Sequence, residues 1–424
     1  MTTSNPTDAI DAVHEWLRGA AQPILGTDPA DTGSDLRRLT DRLAAATVIG
    51  LGESTRFSRQ TYGVRDRIFR VLVTHHGFRT LALQDNARSG AHLDAYVRTG
   101  AGDAHRALAG AWRPLRTSET VATLEWIRAY NLAHPDDPVG VIGVQPPAAE
   151  PSDYDEVLAR VRRWAPGRLA ELESHLAPIR TAHRIDEHVQ RHQGIHPGRP
   201  FAEDARAAFG LVESLPRPAD TDAAAELTSA LELLRSIVDF HERSVAGRGG
   251  FGGGDPDPAR TLIDHHARTG ARIVYWDGTA HTAATAPGVG AGAGAGAGAA
   301  APMRTEGARL RSYFGSAYLS VAIGFHHGDL GVAQAPDPLP DLLDATLGSV
   351  DLPAWFVDLG DGAPAAVRSW AAAPARLRVI SGVYDPARDE EARFRVESLR
   401  EAFDALIHIR ETTPVRWLPE PAAA

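Results

Sequence analysis

The sequence contains no cysteine in its 424 residues. This excludes disulfide bonds, thiolate nucleophiles and zinc or iron–sulfur sites built on cysteine. Basic residues are also in deficit, with 44 Lys and Arg against 54 Asp and Glu, and no stretch concentrates them. Proteins that bind a phosphate backbone usually carry a basic patch, so we expect no nucleic-acid partner.

Long apolar runs are missing as well. The opening residues MTTSNPTDAIDAVHEWLRGA hold no apolar segment of the kind found in secretory signals, and no uninterrupted apolar run is long enough to span a bilayer. We therefore expect a soluble cytoplasmic protein without a membrane partner. The length suits two or three compact units of about 150 residues each.

Four apolar runs end in small or polar residues, which is typical of short buried strands. They are Ala45–Leu51, Thr80–Leu83, Val139–Gly143 and Arg272–Tyr275. Helical patterns separate them, one ending at Gly77 and another beginning at Thr117. This alternation predicts an α/β fold with a mainly parallel sheet flanked by helices. Further strand-like runs lie near Leu319–Phe325, Trp355–Leu359, Leu377–Ile380 and Ala405–Ile409.

The strand pattern stops between Pro151 and about Val245, where apolar residues recur at helical spacing. We expect residues 1–150 and 255–424 to form the α/β core, and residues 151–250 to form a helical insertion that could cap the sheet. The tract GVGAGAGAGAGAAAP at 288–302 predicts a flexible loop. It lacks the GK[ST] ending of a phosphate-binding loop.

Polar side chains follow each of the first four predicted strands. Ligands of open parallel sheets bind beyond the carboxyl ends of the strands, so these side chains mark a candidate site. A carboxylate, an imidazole and guanidinium groups together suit proton transfer and stabilisation of negative charge. We predict as catalytic residues Glu53, His281, Arg56 and Arg65. We predict as substrate-binding residues Gln84, Asp85, Glu119, Gln145, Trp276 and Asp277.

Each of these residues also has a purely structural interpretation. Glu53 could cap a helix or pair with an arginine, and Arg56 and Arg65 could be the ion-pair partners of Glu53 or Asp85. His281 could be a hydrogen-bonded structural histidine. Two further residues have local alternatives, an Asx-turn for Asp277 and a helix-capping position for Glu119.

Two histidine pairs were considered as metal ligands. His188 and His192 are four residues apart and would share one helical face, but the surrounding stretch is highly charged and lacks the HExxH glutamate. A solvated helix face is favoured there. His326 and His327 precede Gly328 and Asp329, which predicts an exposed turn. We therefore predict no metal site.

Several blocks, in order from about Leu51 to Pro414, resemble those of the erythromycin-esterase-like family. LGESTRFSRQTYGVRDRIFRVLVTHHGFRTLAL resembles its opening block, and LRTSETVATLEWIRAYN is similar to its T-x-E…W-x-R-x-Y-N helix. RIVYWDGTAH resembles its strand that ends in W-x-H-N-x-H. RLRSYFGSAYLSVAIGF and FDALIHIRETTP resemble its closing blocks.

The resemblance implies hydrolysis of a macrolide lactone by a water that His and Glu activate, without a required metal or other cofactor. Glu53, Arg65 and His281 match residues of that pattern. Other positions differ: Arg56, Gln84 and Gly278 stand where the family has His, Glu and His, and Gln60 and Gln145 stand where it tends to have Glu and Asp.

These replacements remove groups that could take a proton from water. An arginine stays protonated and cannot act as a general base, a glutamine does not titrate, and Gly278 leaves open space. General-base catalysis is typically worth about 10²–10⁴ in rate, so we expect hydrolysis to be severely weakened.

Three functions remain open from the sequence. The first is an enzyme that cyclises, dehydrates or isomerises a macrolide- or polyketide-type natural product, with Glu53 and His281 moving a proton and an arginine holding an oxygen. The second is a residual macrolactone hydrolase. The third is a ligand-binding protein for sequestration or self-resistance. In all three the partner is a small-molecule natural product, and the oligomeric state stays undetermined.

Overall fold

A computed structural model describes residues 6–145, 149–180, 191, 197–218, 220–246, 257–285, 305–360, 362–380 and 384–419. His188 and His192 lie outside these residues, as does the tract at 288–302. None of the described helices is long and apolar enough to cross a lipid bilayer.

The strands are β1 Gln22–Pro23, β2 Val48–Glu53, β3 Phe78–Asn86, β4 Gly140–Gln145, β5 Arg272–Gly278, β6 Tyr318–Asp329, β7 Gln334–Ala335, β8 Ala354–Asp358, β9 Ala375–Arg378, β10 Arg393–Val396 and β11 Ala405–Thr412. The α-helices of residues 6–145 and 257–419 are α1 Pro6–Ala20, α2 Arg37–Leu43, α3 Arg59–His76, α4 Ala87–Thr99, α5 Ala104–Ala107, α6 Ser118–Ala133, α11 Pro258–Thr269, α12 Thr279–Thr282, α13 Glu306–Phe314, α14 Leu343–Leu347, α15 Ala365–Ala372 and α16 Leu399–Ala402.

The main sheet has the order β1-β8-β11-β6-β2-β5-β3-β4, and β7 pairs with the end of β6. The strands from β11 to β4 in this order are mutually parallel, whereas β8 pairs antiparallel with β11 and β1 pairs antiparallel with β8 at one end of the sheet. The predicted α/β class with a mainly parallel sheet is therefore confirmed. β2 lies in the middle of the sheet, between β6 and β5, so its carboxyl end is central.

Both faces of the sheet are buried, because successive side chains of each strand point to opposite sides. In β5, Val274 and Trp276 join the apolar cluster on one face, whereas Ile273 and Tyr275 join a cluster on the other. Every residue of β2 is buried. This explains why the strands read as nearly continuous apolar runs in the sequence.

Two predicted strands differ from the structure. The run Ala45–Leu51 becomes a strand only from Val48, because Ala46 N–H bonds to Leu43 C=O in a turn that follows α2. The run Leu377–Ile380 lies outside the main sheet. β9 instead pairs antiparallel with β10 in a separate two-stranded sheet.

The chain forms two compact units by its internal contacts. One contains residues 1–145, 256–295 and 299–424, and the other contains residues 146–255 and 296–298. The described helices of the second unit are α7 Pro151–Trp164, α8 Leu169–Leu176, α9 Phe201–Glu213 and α10 Thr221–Ala246. They share an apolar core to which Val157, Leu172, Ala208 and Leu234 contribute. The proposed capping role of this insertion stays a prediction.

The exposed turn predicted at His326 and His327 is wrong. Both residues lie in β6, where His327 pairs with Glu411 of β11, and both are only partly exposed. The strand continues this far because β7 adds a short antiparallel pair beyond them, at Gly328 and Asp329.

Candidate functional site

The candidate site begins at the carboxyl end of the central strand. Glu53 ends β2 and lies opposite Gly278 of β5 and Ile323 of β6. The loop after Glu53 leads to α3, whose first turn is capped by Ser58: its hydroxyl accepts a hydrogen bond from Thr61 N–H at 3.1 Å. The short helix α12 follows β5 directly, so residues from both segments reach the same edge.

Glycines in β2 allow α12 to pack against this edge. A Cβ on Gly52 would lie 2.2 Å from Thr282 Oγ1 and 2.8 Å from Thr279 Cα. A Cβ on Gly50 would lie 2.4 Å from the Tyr318 hydroxyl of β6 and 3.0 Å from Thr282 Cβ of α12. Side chains at these positions would push α12 away, and with it His281, so the glycines set where the imidazole lies.

Glu53 is buried and lies beside two guanidinium groups. Its Oε2 is 2.7 Å from Arg65 Nη2, and its Oε1 is 3.6 Å from Arg56 Nε. The Arg65 contact is close but poorly aligned, so Oε2 receives no hydrogen bond from any described residue. The positive charge of Arg65 compensates this buried oxygen, and Oε1 is the oxygen that lies on the side of the more exposed Arg56.

Arg65 holds the floor of the site. Its side chain is 2% exposed, and its guanidinium lies over the ring of Trp276 at 4.8 Å and near the ring of Tyr62 at 5.3 Å. Its Nη1 also donates to Leu51 C=O at 3.4 Å. The described contacts of Arg65 therefore match its structural interpretation, in which it is the ion-pair partner of Glu53.

Arg56 lies nearer the surface, with its side chain 15% exposed. Its guanidinium lies 4.3 Å from the centre of the Trp112 ring, and its Nη2 donates to Gln84 Oε1 at 3.3 Å. Asp85 positions this arrangement indirectly, because its Oδ2 accepts a hydrogen bond from Trp112 N–H at 3.1 Å. Burial raises the pKa of Asp85 to about 7.

His281 has a carboxylate partner that the sequence did not indicate. Its Nδ1 lies 3.1 Å from Oε2 of Glu306, the first residue of α13. The His281 side chain is 38% exposed, and no described residue hydrogen-bonds to its Nε2. The ring is thus held at one nitrogen and open at the other.

The charges around His281 favour its cationic form. Partial burial lowers the pKa of the ring, but the negative charges of Asp277 and Glu306 outweigh this and raise the pKa of His281 to about 9. Burial opposes the charged form of Glu306, yet the cationic ring keeps the pKa of that carboxyl below its ordinary value. At neutral pH His281 therefore carries a proton and can donate it.

Asp277 lies deeper than His281 and is bound to its own neighbours. Its Oδ2 accepts a hydrogen bond from the Tyr275 hydroxyl, and its Oδ1 accepts one from Gly278 N–H at 2.6 Å. Burial raises the pKa of Asp277. The hydrogen bond from Gly278 N–H is local, as expected if Asp277 forms an Asx-turn. The Asp277 side chain influences His281 through its negative charge.

Other predicted substrate-binding residues are engaged elsewhere. Glu119 is buried in the first turn of α6 and accepts hydrogen bonds from Arg416 N–H at 3.1 Å and from Arg416 Nε at 3.2 Å. Trp276 is 2% exposed and packs edge-on against Phe69. Neither side chain can reach a ligand in this arrangement. Gln145 ends β4 and is partly exposed.

Two residues of the site were missed in the sequence, Glu306 and Trp112. Glu306 had a local signal: Thr305 caps α13, with its hydroxyl accepting from Ala308 N–H at 2.9 Å, and a Thr-Glu pair before a helical stretch is a common helix start. Trp112 had none, because its contact with Arg56 depends on how the segment between α5 and α6 folds.

Among the described residues, one group could hold a metal ion: His326 and His327 of β6, with Asp337, which follows β7. Neither Glu53 nor His281 belongs to that group.

One comparison, with sequence models of protein families, shows a family for this chain. The sequence model described as erythromycin esterase matches residues 73–412. No curated protein matches the chain. Among solved structures, a Bacillus cereus protein is 20% identical with a TM-score of 0.63, covering 97% of this chain and 99% of its own.

Two further structures share the fold. A succinoglycan biosynthesis protein is 20% identical with a TM-score of 0.63, covering 98% of this chain and 100% of its own. A variant of the erythromycin esterase EreC in its open conformation is 16% identical with a TM-score of 0.58, covering 90% of this chain and 94% of its own. At these identities the likeness extends to the fold alone.

Proposed function

The chain belongs to the erythromycin esterase family, and we propose that it is an enzyme that rearranges a macrolide- or polyketide-type natural product without hydrolysing it. The reaction class is cyclisation, dehydration or isomerisation next to a carbonyl group. His281 donates a proton to an oxygen of the substrate, Glu53 accepts a proton from the substrate, and Arg56 stabilises the developing negative charge.

The observation that carries this proposal is the position of His281, with Nδ1 held 3.1 Å from the Glu306 carboxylate and the ring partly exposed. Since the pKa of His281 is about 9, the ring is an acid and not a base at neutral pH. Hydrolysis by an activated water needs a base at that position, whereas enolisation or loss of water from a substrate needs an acid. The open Nε2 of this half-exposed ring is where the proton would be delivered.

Glu53 is the proposed proton acceptor, and Arg56 is the group that stabilises negative charge. Oε2 of Glu53 is buried against Arg65 at 2.7 Å, so Oε1, on the side of the more exposed Arg56, is the oxygen that would accept the proton from a bound substrate. Arg56 is more exposed than Arg65, and its guanidinium lies over the Trp112 ring, 4.3 Å from its centre. A fixed cation of this kind binds a carbonyl or enolate oxygen without reorganising.

A second function, residual ester hydrolysis, is favoured by one observation. Glu306 holds Nδ1 of His281 and leaves Nε2 open, which is how a histidine base is oriented to take a proton from water. This base is free only when the ring is neutral, that is, above about pH 9. A hydrolase of this kind would be an alkaline one.

The two functions are separated by one experiment. The purified full-length protein is incubated with a panel of macrolactones and linear polyketides in ¹⁸O-labelled water from pH 6 to pH 10, and products are identified by mass spectrometry. The proposal expects a product that is isomeric with the substrate or has lost water, with no solvent oxygen, formed faster below pH 9. Hydrolysis instead gives an acid that carries ¹⁸O and forms faster above pH 9.

Variants assign the reaction to this site. His281→Ala and Glu53→Gln should each lower the rate by about 10²–10⁴, whereas His105→Ala, at an exposed position outside the site, should not change it. If the substrate binds tightly and is recovered unchanged, and the two site variants are silent in the producing organism, the protein is a binding protein and the proposal is wrong.

A further inference from the structure

A group of three potential metal ligands lies at the end of β6, outside the site described above. The Nδ1 atoms of His326 and His327 are 2.9 Å apart, and each lies 3.5 Å from Oδ1 of Asp337. Consecutive residues of a strand normally point to opposite faces of the sheet. Here two neighbouring imidazoles converge on one carboxylate, which is unusual for a regular strand.

The spacing of the three atoms fits a small tetrahedral ion. Zinc binds imidazole nitrogen and carboxylate oxygen at about 2.0–2.2 Å, so neighbouring ligands of a tetrahedral site are separated by about 3.3 Å. An octahedral site with the same bond lengths would separate them by about 2.9 Å. The two His–Asp separations of 3.5 Å are nearer the tetrahedral value, whereas the His326–His327 separation of 2.9 Å equals the octahedral one. An ion just above the plane of the three atoms would reach all of them.

A buried arginine fixes the two segments that carry these ligands. Arg378 Nη1 donates to His326 C=O at 2.6 Å and to Pro336 C=O at 2.8 Å. Its Nη2 is 2.9 Å from Oδ2 of Asp389, and its side chain is completely buried. The arginine thereby holds the strand residue His326 and the residue before Asp337 in one fixed arrangement.

The surroundings also orient the ring of His326. A Cβ on Gly348 would lie 2.3 Å from His326 Cδ2 and 2.6 Å from Nε2, so only glycine allows the ring to pack there. The packed edge carries Nε2, which leaves Nδ1 on the side of His327 and Asp337. Asp337 stands between Pro336 and Pro338, which restrict the backbone on both sides.

An ion pair alone does not account for the group. The Asp337 side chain is 81% exposed and that of His327 is 36% exposed. Exposed ion pairs contribute little to stability because water screens them. Arg378 and the close packing of Gly348 against the His326 ring hold these groups in place more firmly than such a pair needs, whereas a metal site needs its ligands held in advance.

We propose that His326, His327 and Asp337 bind a divalent transition metal ion of the zinc type. The two Nδ1 atoms and the Asp337 carboxylate supply three ligands, and the fourth position is open to solvent. Two nitrogen ligands and one oxygen ligand in this geometry favour Zn²⁺ or Co²⁺ over Mg²⁺ and Ca²⁺, which prefer oxygen ligands in larger number.

The test uses the full-length protein without a polyhistidine tag, stripped of metal by a chelator and then dialysed. Titration with Zn²⁺ by calorimetry should show one equivalent bound. Titration with Co²⁺ should produce the intense visible absorption of a tetrahedral complex. A weak absorption typical of octahedral Co²⁺ would overturn the assigned geometry, and binding of neither ion would overturn the site.

Matched variants locate the ion. His327→Ala and Asp337→Asn should each weaken binding by more than the roughly 10–100-fold that follows loss of an outer hydrogen-bond partner. The control is His76→Ala. His76 also follows a histidine and lies 3.3 Å from a carboxylate, that of Asp41, but its ring centre is 6.5 Å from that of His75, so the two rings do not converge on the carboxylate. Circular dichroism verifies that each variant is folded. Equal binding by the wild type and the Asp337→Asn variant would refute the proposal.

Discussion

The Nδ1 atom of His281 lies 3.1 Å from Oε2 of Glu306, and this pairing adds to the charge of Asp277 in favouring the cationic form of the imidazole. Against the effect of burial, Asp277 and then Glu306 raise the pKa of His281 to about 9. Glu53 is instead associated with Arg65 and Arg56. The edge of the sheet therefore contains two parts. In one, the His281 imidazolium can donate a proton; in the other, the Glu53 carboxylate lies between two guanidinium groups.

Replacement of Glu306 by Gln should lower the pKa of His281. A hydrogen bond to a charged group is worth about 1.5–3 kcal/mol, which corresponds to a decrease of roughly 1–2 pKa units. The measurement is a pH titration of the His281 ring by NMR. Asp41→Asn, which removes a carboxylate beside His76, should leave the His281 titration unchanged.

The same variant should alter how stability depends on pH. Because the pKa of His281 is raised on folding, its contribution is fully present below the ordinary histidine value of 6.5 and is lost as the pH rises through about 9. Glu306→Gln should flatten the decline of the unfolding free energy over this interval. An unchanged decline in urea titrations at pH 6 and pH 9.5 would show that another group is responsible.

The sheet could be predicted from the sequence because its strands are buried on both faces and read as short apolar runs. The carboxyl edge followed from parallel pairing, which placed the ends of β2, β3 and β5 together. The alternation of side chains along a strand could also have shown that Trp276 and Asp277 point to opposite faces of the sheet, so that both are not expected at one binding site. Neighbouring strand residues face opposite sides, so Trp276 enters the apolar cluster that contains Leu51.

Contacts between distant segments could not be predicted in this way. Glu119 has the local pattern of a helix start, but its partner Arg416 lies 297 residues further along the chain. Glu306 is separated from His281 by a Gly- and Ala-rich tract without the pattern of apolar and polar residues that indicates a strand or a helix. Such pairings arise from the packing of whole elements, and a pattern confined to one segment contains no information on them.

Removal of the Arg65 guanidinium should destabilise the protein strongly. Arg65→Met leaves the buried carboxylate of Glu53 without its closest cation, and breaking a buried ion pair on one side typically costs about 3–5 kcal/mol. Urea denaturation at pH 7 measures the change. Arg56→Met should cost much less, because Arg56 is more exposed and 3.6 Å away.

The double variant Glu53→Gln with Arg65→Met should recover much of this loss, since it removes both charges together. Equal stability of the double variant and Arg65→Met alone would indicate that Arg65 acts through its packing on Trp276 and Tyr62. In that case the ion pair with Glu53 would contribute little to the fold.

Asp85→Asn should stabilise the protein at neutral pH relative to acidic pH. Burial raises the pKa of Asp85 to about 7, so the folded state binds a proton that the unfolded state releases above pH 4. The wild type therefore loses stability as the pH rises from about 4 to 7, and the neutral Asn does not. Urea denaturation at pH 4.5 and pH 7.5 measures this difference.

Asp136→Asn is the matched control, because Asp136 is exposed and its replacement should change stability equally at both pH values. If Asp85→Asn also shifts stability equally, the carboxyl is charged in the folded state at both. The hydrogen bond from Trp112 N–H would then be charge-assisted at pH 4.5 as well.

Restoring the family's residues should restore hydrolysis. The triple variant Arg56→His, Gln84→Glu and Gly278→His replaces a permanent cation and an inert amide with groups that can take a proton from water. Gly278 admits a side chain, because a Cβ there would lie 3.4 Å from His281 Cδ2 and 4.0 Å from Glu53 C=O, which are ordinary contacts. General-base help should raise macrolactone hydrolysis by about 10²–10⁴ over the wild type.

The measurement is release of the ring-opened acid carrying ¹⁸O from labelled water, compared at equal protein concentration. The same triple variant with Gly52→Ala added is the control, because a Cβ on Gly52 would displace α12 and the imidazole that it carries. This quadruple variant should lose the restored activity. The triple variant could instead be folded, bind the substrate and stay inactive. That result would mean that this site differs from the sites of hydrolytic family members in more than its proton-accepting residues.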